Sequence, residues 1–146
     1  MKRLVITLTI ALSFISFSSF ANDVDVNPAA LQSFNQSFKN ATEVNWSVSN
    51  TYYKANFALD GQYVTAYYDV EGKMIAITRN ISSFQLPITL QTNLKKNYQD
   101  FWISDLFEVT NEEGTSYYVT VENADTKIIL KSNSQSWEKF QKQNKS

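Results

Sequence analysis

The side chains that could do acid–base chemistry in this sequence are all carboxylates. Asp60, Asp69, Glu71, Asp100, Asp105, Glu112 and Glu113 could supply the pair of acids that hydrolysis of the glycosidase type requires across one cleft. There is no histidine and no cysteine, so the usual neutral-pH base, the thiolate nucleophile and the soft metal ligands are all missing. Serine–histidine and cysteine–histidine catalysis are excluded. The acids fall mostly at expected turns, where solvated charge is their ordinary role. Neither Asp69 to Glu71 nor Glu112-Glu113 has the alternating oxygen-ligand spacing of a calcium loop, and three separated glycines make no phosphate cradle. The sequence reads as non-enzymatic, with no cofactor and no metal.

The surplus is aromatic, at 14% of the chain. The elements that position it run from Trp46 to Arg79. In Tyr52 to Leu59, period-two alternation places Tyr53, Ala55, Phe57 and Leu59 on one face, and Tyr52, Lys54, Asn56 and Ala58 on the other. Asp60-Gly61 suits a tight hairpin turn. Gln62 to Asp69 then turns Val64, Ala66 and Tyr68 inward and Tyr63, Thr65 and Tyr67 outward. Beyond Glu71-Gly72, Lys73 to Arg79 is expected to point Ile75 and Ile77 inward, with Met74, Ala76 and Thr78 outward. Val44 to Val48 reads as a first edge strand, so this half is an antiparallel meander.

Asn27-Pro28 is a helix start, a capping side chain followed by proline at the first helical position. Leu31, Phe34, Phe38 and Ala41 form one apolar stripe behind it, and that stripe needs the inward face of the sheet to cover. Leu86-Pro87 opens a second helix, with Leu90, Leu94 and Tyr98 on one side. Strands follow at Ile103 to Thr110, Thr115 to Glu122 and Thr126 to Lys131. Tyr52 to Phe57 and Ser116 to Val121 hold equivalent places behind their helices. The expectation is an α+β fold of two tandem helix-plus-antiparallel-strand units, about 27–82 and 83–131, with the helices packed on one face of the antiparallel sheet. The tail, 132–146, is polar apart from Trp137 and Phe140, and reads as either a short terminal helix or a frayed end.

Residues 1–21 carry Lys2 and Arg3, an apolar run from Leu4 to about Phe17, and small residues at Ser19 and Ala21. This is the pattern of a secretory signal cleaved after about Ala21. The run is short for a membrane span, which needs about 20 apolar residues, and no second one follows, so no membrane span is expected once the signal is removed. The absence of cysteine excludes an acylated lipoprotein. Cleavage would leave 11 basic against 14 acidic side chains, a net charge of about −3. That balance argues against nucleic acid as a partner, and the signal itself is expected to send a domain of residues 22–131, with its tail, to the periplasm or outside the cell.

Val44-Asn45-Trp46, Tyr53-Lys54-Ala55-Asn56-Phe57, Tyr67-Tyr68-Asp69-Val70-Glu71-Gly72-Lys73, Leu86-Pro87 and Tyr117-Tyr118-Val119, in that order, resemble the exported PepSY-like, beta-lactamase-inhibitor-protein-like domains of Gram-negative bacteria. The resemblance implies two tandem helix-and-sheet units without established catalytic activity, and an aromatic sheet face that docks onto another protein. Asn123-Ala124-Asp125 departs from it, standing where a glycine turn belongs.

Alternation puts Tyr52, Tyr63, Tyr67 and Tyr118 on the face away from the helices. Such rings either make a contact patch for a protein or peptide in the cell envelope, possessing large area at low entropic cost, or pair across strands and stiffen a wet sheet. In the first case the protein is a non-enzymatic exported binding module, with inhibition or regulation of an envelope enzyme as its expected role, and serine at Tyr52, Tyr67 and Tyr118 should abolish binding while moving the thermal transition by only a few degrees. The alternative function is a carrier of a small apolar ligand held between helices and sheet. Trp46 and Trp102 read as core or edge plugs.

Overall fold

Asn27 begins the first helix as its position predicts. In the computed structural model, which describes residues 25–146, its Oδ1 accepts the N–H of Ala29 at 2.8 Å, and Pro28 opens α1, Pro28–Ser37. The same side chain donates from Nδ2 to the carbonyl of Val70 at 3.0 Å. One asparagine therefore caps the helix and ties it to a strand turn 43 residues on. The expected export signal and its cleavage point lie outside the described residues.

The strands β1 (Thr42–Val48), β2 (Tyr52–Leu59), β3 (Gln62–Asp69) and β4 (Met74–Asn80) follow α1. A single 3-10 turn, Ser83–Gln85, leads into α2 (Ile88–Asn97), and β5 (Trp102–Asn111), β6 (Gly114–Glu122), β7 (Thr126–Asn133) and β8 (Ser136–Asn144) complete the chain. Among the described residues the eight strands form one antiparallel sheet in the order β1 to β8. Each strand lies beside its sequence neighbour, so most of the pairing is local.

The β2–β3 hairpin closes at Asp60-Gly61, where φ is 50° and 78°, the left-handed pair that a two-residue turn of matching twist demands. The pairing of Leu59 with Gln62 follows from that turn. At the next turn Asp69 Oδ1 accepts the N–H groups of Glu71 and Lys73 at 3.0 and 2.8 Å, holding Gly72 at φ 90°. The β6–β7 turn, where the glycine is missing, is closed by Asn123, whose Oδ1 accepts from Asp125 and Thr126 at 3.0 and 2.8 Å. An asparagine side chain replaces the backbone freedom of glycine there.

Three expectations need correcting. A bulge between Tyr67 and Tyr68 pairs Tyr67 with Ala76 but Tyr68 with Met74, so Ile75 is the extra residue and Met74, with Ile77, packs on the core. One inserted residue reverses the faces on either side of it. In α1, Leu31 is 37% exposed, whereas Ala30 is fully buried. The covered stripe is Val26, Ala30, Phe34 and Phe38, with Ala41 packed beside it, so Phe34, Phe38 and Ala41 lie as their spacing requires and only Leu31 gives way, to Ala30 one residue or about 100° round the helix. The tail is neither helix nor frayed end, since β8 pairs with β7 from Asn133–Ser136 to Thr126–Asn144.

Register shows where the helices lie. Phe57 pairs with Val64, Val64 with Arg79, Arg79 with Glu108 and Glu108 with Tyr117, one continuous row on one face. That face carries both cores. Beneath α1, Ala30 and Phe34 meet Ala55, Phe57, Val64, Ala66 and Tyr68. Beneath α2, Leu86, Leu90 and Leu94 meet Leu106, Val119, Val121, Ile128 and Leu130. Phe34 lies edge-on to Phe57 with centroids 4.9 Å apart, and Phe38 tilts against Phe57 at 4.6 Å. Edge-to-face contacts of this kind add about 1 kcal/mol each beyond area burial.

Tyr68 is fully buried, yet its hydroxyl has no hydrogen-bond partner among the described residues. Burial pushes the phenol up to about 12. The unfolded phenol, with a pKa of about 10, releases its proton first, so this contribution is intact below pH of about 10 and is lost as pH rises towards 12. Tyr68→Phe removes an unpaired polar atom and should hold or raise stability by up to about 1 kcal/mol at neutral pH, with the gap over wild type widening above pH of about 10. Urea unfolding at the two pH values measures both; a clear loss at neutral pH would mean that the hydroxyl is satisfied.

Candidate functional site

The face away from the helices is built from the alternate residues of the same strands. Asn45, Asn56, Thr65, Thr78, Val109 and Ser116 make a central row across β1 to β6. On one side of it runs Ser47, Lys54, Tyr67, Ala76 and Asn111. On the other runs Asn80, Phe107, Tyr118, Lys131 and Glu138, followed by Asp105, Thr120, Ile129 and Gln141. The surface is a polar seam flanked by aromatic groups.

The four tyrosines singled out from sequence all lie on this face, in three places. Tyr52 and Tyr67 meet edge-on at 5.8 Å. Burial, with Tyr52 adding to it, raises the Tyr67 phenol above its usual value. Tyr63 stands apart, 73% exposed, its hydroxyl donating to Glu43 Oε2 at 3.1 Å. That hydrogen bond to a carboxylate is the main reason its phenol is raised. Tyr118 lies in the other half of the sheet, three strands across and four residues along from the Tyr67 row, on the order of 20 Å away by strand spacing and rise.

Tyr118 has neighbours that alternation alone did not mark. Phe107 stacks on it with centroids 5.3 Å apart and planes 4° from parallel, Phe140 meets its edge at 5.6 Å, and Lys131 Nζ stands 5.7 Å from its centroid. The usable signal was Leu106-Phe107, two large apolar residues in succession, which tells of a strand apolar on both faces. Phe140 gave none, since its position depends on a bulge between Ile129 and Leu130 in the β7–β8 register. Beneath the rings, Val109, Ala76 and Thr120 are buried. Trp102 is no plug: it is 53% exposed on this face, with Lys145 Nζ 4.8 Å from its ring, whereas Trp46 packs edge-on against Phe34 under α1.

These pairings change one expectation. Serine at Tyr52, Tyr67 and Tyr118 together removes the Tyr52–Tyr67 and Phe107–Tyr118 contacts, each worth about 1 kcal/mol beyond area. The triple variant would lose several kcal/mol, not a few degrees. Tyr63 and Phe140, 73% and 47% exposed, are the rings that can be cut without unpacking the sheet.

The carboxylates are dispersed. Glu112 pairs with Lys73, Glu108 with Arg79 at 2.9 Å, and Glu122 with Lys145 and Lys127 at 2.7 and 3.5 Å. Lys145, followed by the hydroxyl of Ser104, holds Glu122 down to about 2. Among the described residues no three acidic side chains gather around one point. On the helix side, a cleft of about 350 Å³ opens between the two cores, with Phe38, Leu59, Val64 and Ile77 as its apolar lining and the Arg79–Glu108 pair on its wall.

No protein-family model matches the chain, and no curated protein matches it in sequence. Solved structures do. A BLIP-like protein from Bacteroides fragilis superposes with a TM-score of 0.70 at 22% identity, over 83% of this chain and 87% of that one. A DUF2874 family protein from Bacteroides ovatus gives 0.73 at 20% identity, over 82% and 88%. A Bacteroides eggerthii protein, provisionally described as periplasmic, gives 0.73 at 14% identity, over 82% and 89%. The fold of the described residues is therefore BLIP-like: an eight-stranded antiparallel sheet with two helices.

Proposed function

We propose that the chain is an exported, non-enzymatic binding module that docks a protein or peptide of the cell envelope through the open face of its sheet, and that it regulates or inhibits that partner. The observation carrying this reading is the cluster of Phe107, Tyr118 and Phe140 with Lys131, an aromatic surface on the face that neither helix covers. Clustered aromatic rings match the composition of protein-binding hot spots. The likeness to structures described as BLIP-like and as periplasmic supports the same reading, as does the signal-type sequence of residues 1–21. The element order of helix, four strands, helix, four strands supports two tandem units of PepSY-like type, the second of which includes β8.

The test is affinity capture from an envelope extract with wild type and with Tyr63→Ser combined with Phe140→Ser. The double variant should lose no more than about 2 kcal/mol, because Tyr63 is 73% exposed and Phe140, about half in water, gives up one edge contact with Tyr118, and should retain less than about a tenth of the captured partner, as expected when hot-spot rings are lost. Full retention by a folded double variant contradicts the reading.

One observation favours the carrier reading, the cleft of about 350 Å³ between the cores, which is large enough for a small apolar molecule. Native mass spectrometry of protein from its own host separates the two, since a carrier arrives with added mass.

A further inference from the structure

The chain leaves β4 at Asn80 and reaches α2 through an elbow that is fixed by hydrogen bonds. The N–H and Oγ of Ser82 both donate to Gln85 Oε1, at 2.9 and 2.8 Å. Gln91 Nε2 donates to the carbonyls of Leu86 and Phe84 at 2.8 and 3.3 Å, and the N–H of Ile81 donates to Leu106 O at 3.1 Å. This frame holds Phe84 78% exposed and Ile88 73% exposed, far outside either core. Large apolar side chains held rigidly in water mark a contact surface.

Between the elbow and the start of β5 lies a notch of about 280 Å³, lined by Asn80, Ile81, Ser82, Ser83, Ile103, Ser104, Asp105 and Leu106. That is below the usual range for a small-molecule pocket, about 300 to 1,000 Å³, and suits a single inserted side chain. The notch adjoins the aromatic cluster through Asn80, which pairs with Phe107. Its one charged group is Asp105. Glu122, across the strand, is already held by Lys145, Lys127 and Ser104. Asp105 is half-buried and has no ion-pair partner among the described residues. Burial raises its carboxyl above the usual range, although the N–H of Leu106 and the more distant charge of Lys127 oppose this.

We infer that this notch receives a lysine side chain from an extended segment of the partner, its ammonium group on the Asp105 carboxylate and the neighbouring apolar residues of that segment against Phe84 and Ile103. A compact ammonium with three donors suits one carboxylate surrounded by hydroxyl and amide oxygens. The inference deepens the binding-module reading and rests on it.

The test uses protein recovered from cells expressing the full chain, titrated by amide NMR with acetyl-Phe-Lys-Phe-amide, with its glutamine counterpart, and with Phe-Gln-Phe-amide bearing a free N-terminus. The lysine peptide should shift the amides of Ser83, Ser104 and Asp105 saturably and bind about tenfold or more tightly than either glutamine peptide. It should also lower the Asp105 titration midpoint, and Asp105→Asn should bring its affinity down to that of glutamine. Equal binding of the acetylated pair to wild type overturns the inference with no variant needed, as does a preference for the free N-terminus or one that survives in Asp105→Asn. The double variant Tyr63→Ser, Phe140→Ser leaves the notch intact. Lysine preference without partner capture therefore sinks the open-face reading alone, and capture without lysine preference sinks the notch alone.

Discussion

Gly72→Ala should destabilise the protein by about 3 to 5 kcal/mol, adding the strain of a left-handed φ to that of forced overpacking. At φ 90°, a Cβ on residue 72 would stand 2.6 Å from the amide nitrogen of Ala30 and 2.7 Å from both the carbonyl carbon and the Cβ of Ala29. The obstacle is helix backbone, so α1 would have to lift from the turn on which Asn27 seats it. For a domain of this size the loss corresponds to a fall in Tm on the order of 15 °C. Gly114→Ala is the control. Its φ of 117° is also left-handed, but a Cβ there meets nothing within 4 Å, so only the conformational cost of about 1 kcal/mol remains. Equal losses by calorimetry would show that α1 does not rest on the β3–β4 turn.

The second large effect is expected at Trp137, in the stretch whose sequence reads as a tail. Its ring packs on the core beneath α2, and Nε1 donates to the carbonyl of Leu90 at 3.0 Å, linking β8 to a helix 47 residues earlier. Trp137→Ala should cost about 3 kcal/mol through the lost packing and the lost hydrogen bond. Trp137→Phe keeps much of the ring area and should cost about 1 kcal/mol. Chemical denaturation measures both. A frayed end would tolerate either change within about 0.5 kcal/mol.

These two sites mark where sequence stops being sufficient. Asn27-Pro28 and Asp60-Gly61 are legible because the side chain and the backbone conformation it favours are local matters. The faces of β2 and β3 are legible because no bulge interrupts their pairing from Tyr52–Asp69 to Leu59–Gln62. Ile75 is not, since a bulge is a property of two strands and Lys73 to Arg79 alternates equally well in either register. β8 is not, because Ser136–Asn144 is polar along nearly its whole length and owes its conformation to β7 and to the Trp137–Leu90 bond. A solvent-facing edge strand carrying Lys139 and Lys142 is protected against further pairing and has lost the apolar alternation that would reveal it. The same division holds for the candidate site. Parity places Tyr52, Tyr63, Tyr67 and Tyr118 on one face, but only register brings Phe107 and Phe140 to Tyr118 and leaves Tyr63 on its own.

The functional account depends on which side of the sheet meets a partner. Photo-crosslinking in the living host addresses this, with a benzophenone amino acid placed at Tyr63 or Phe140 on the open face, or at Gln32 or Lys95 on the exposed sides of α1 and α2. The account predicts a discrete protein adduct from Tyr63 and Phe140 and none from Gln32 or Lys95. Adducts from the helix positions alone, or from no position at all, would contradict it.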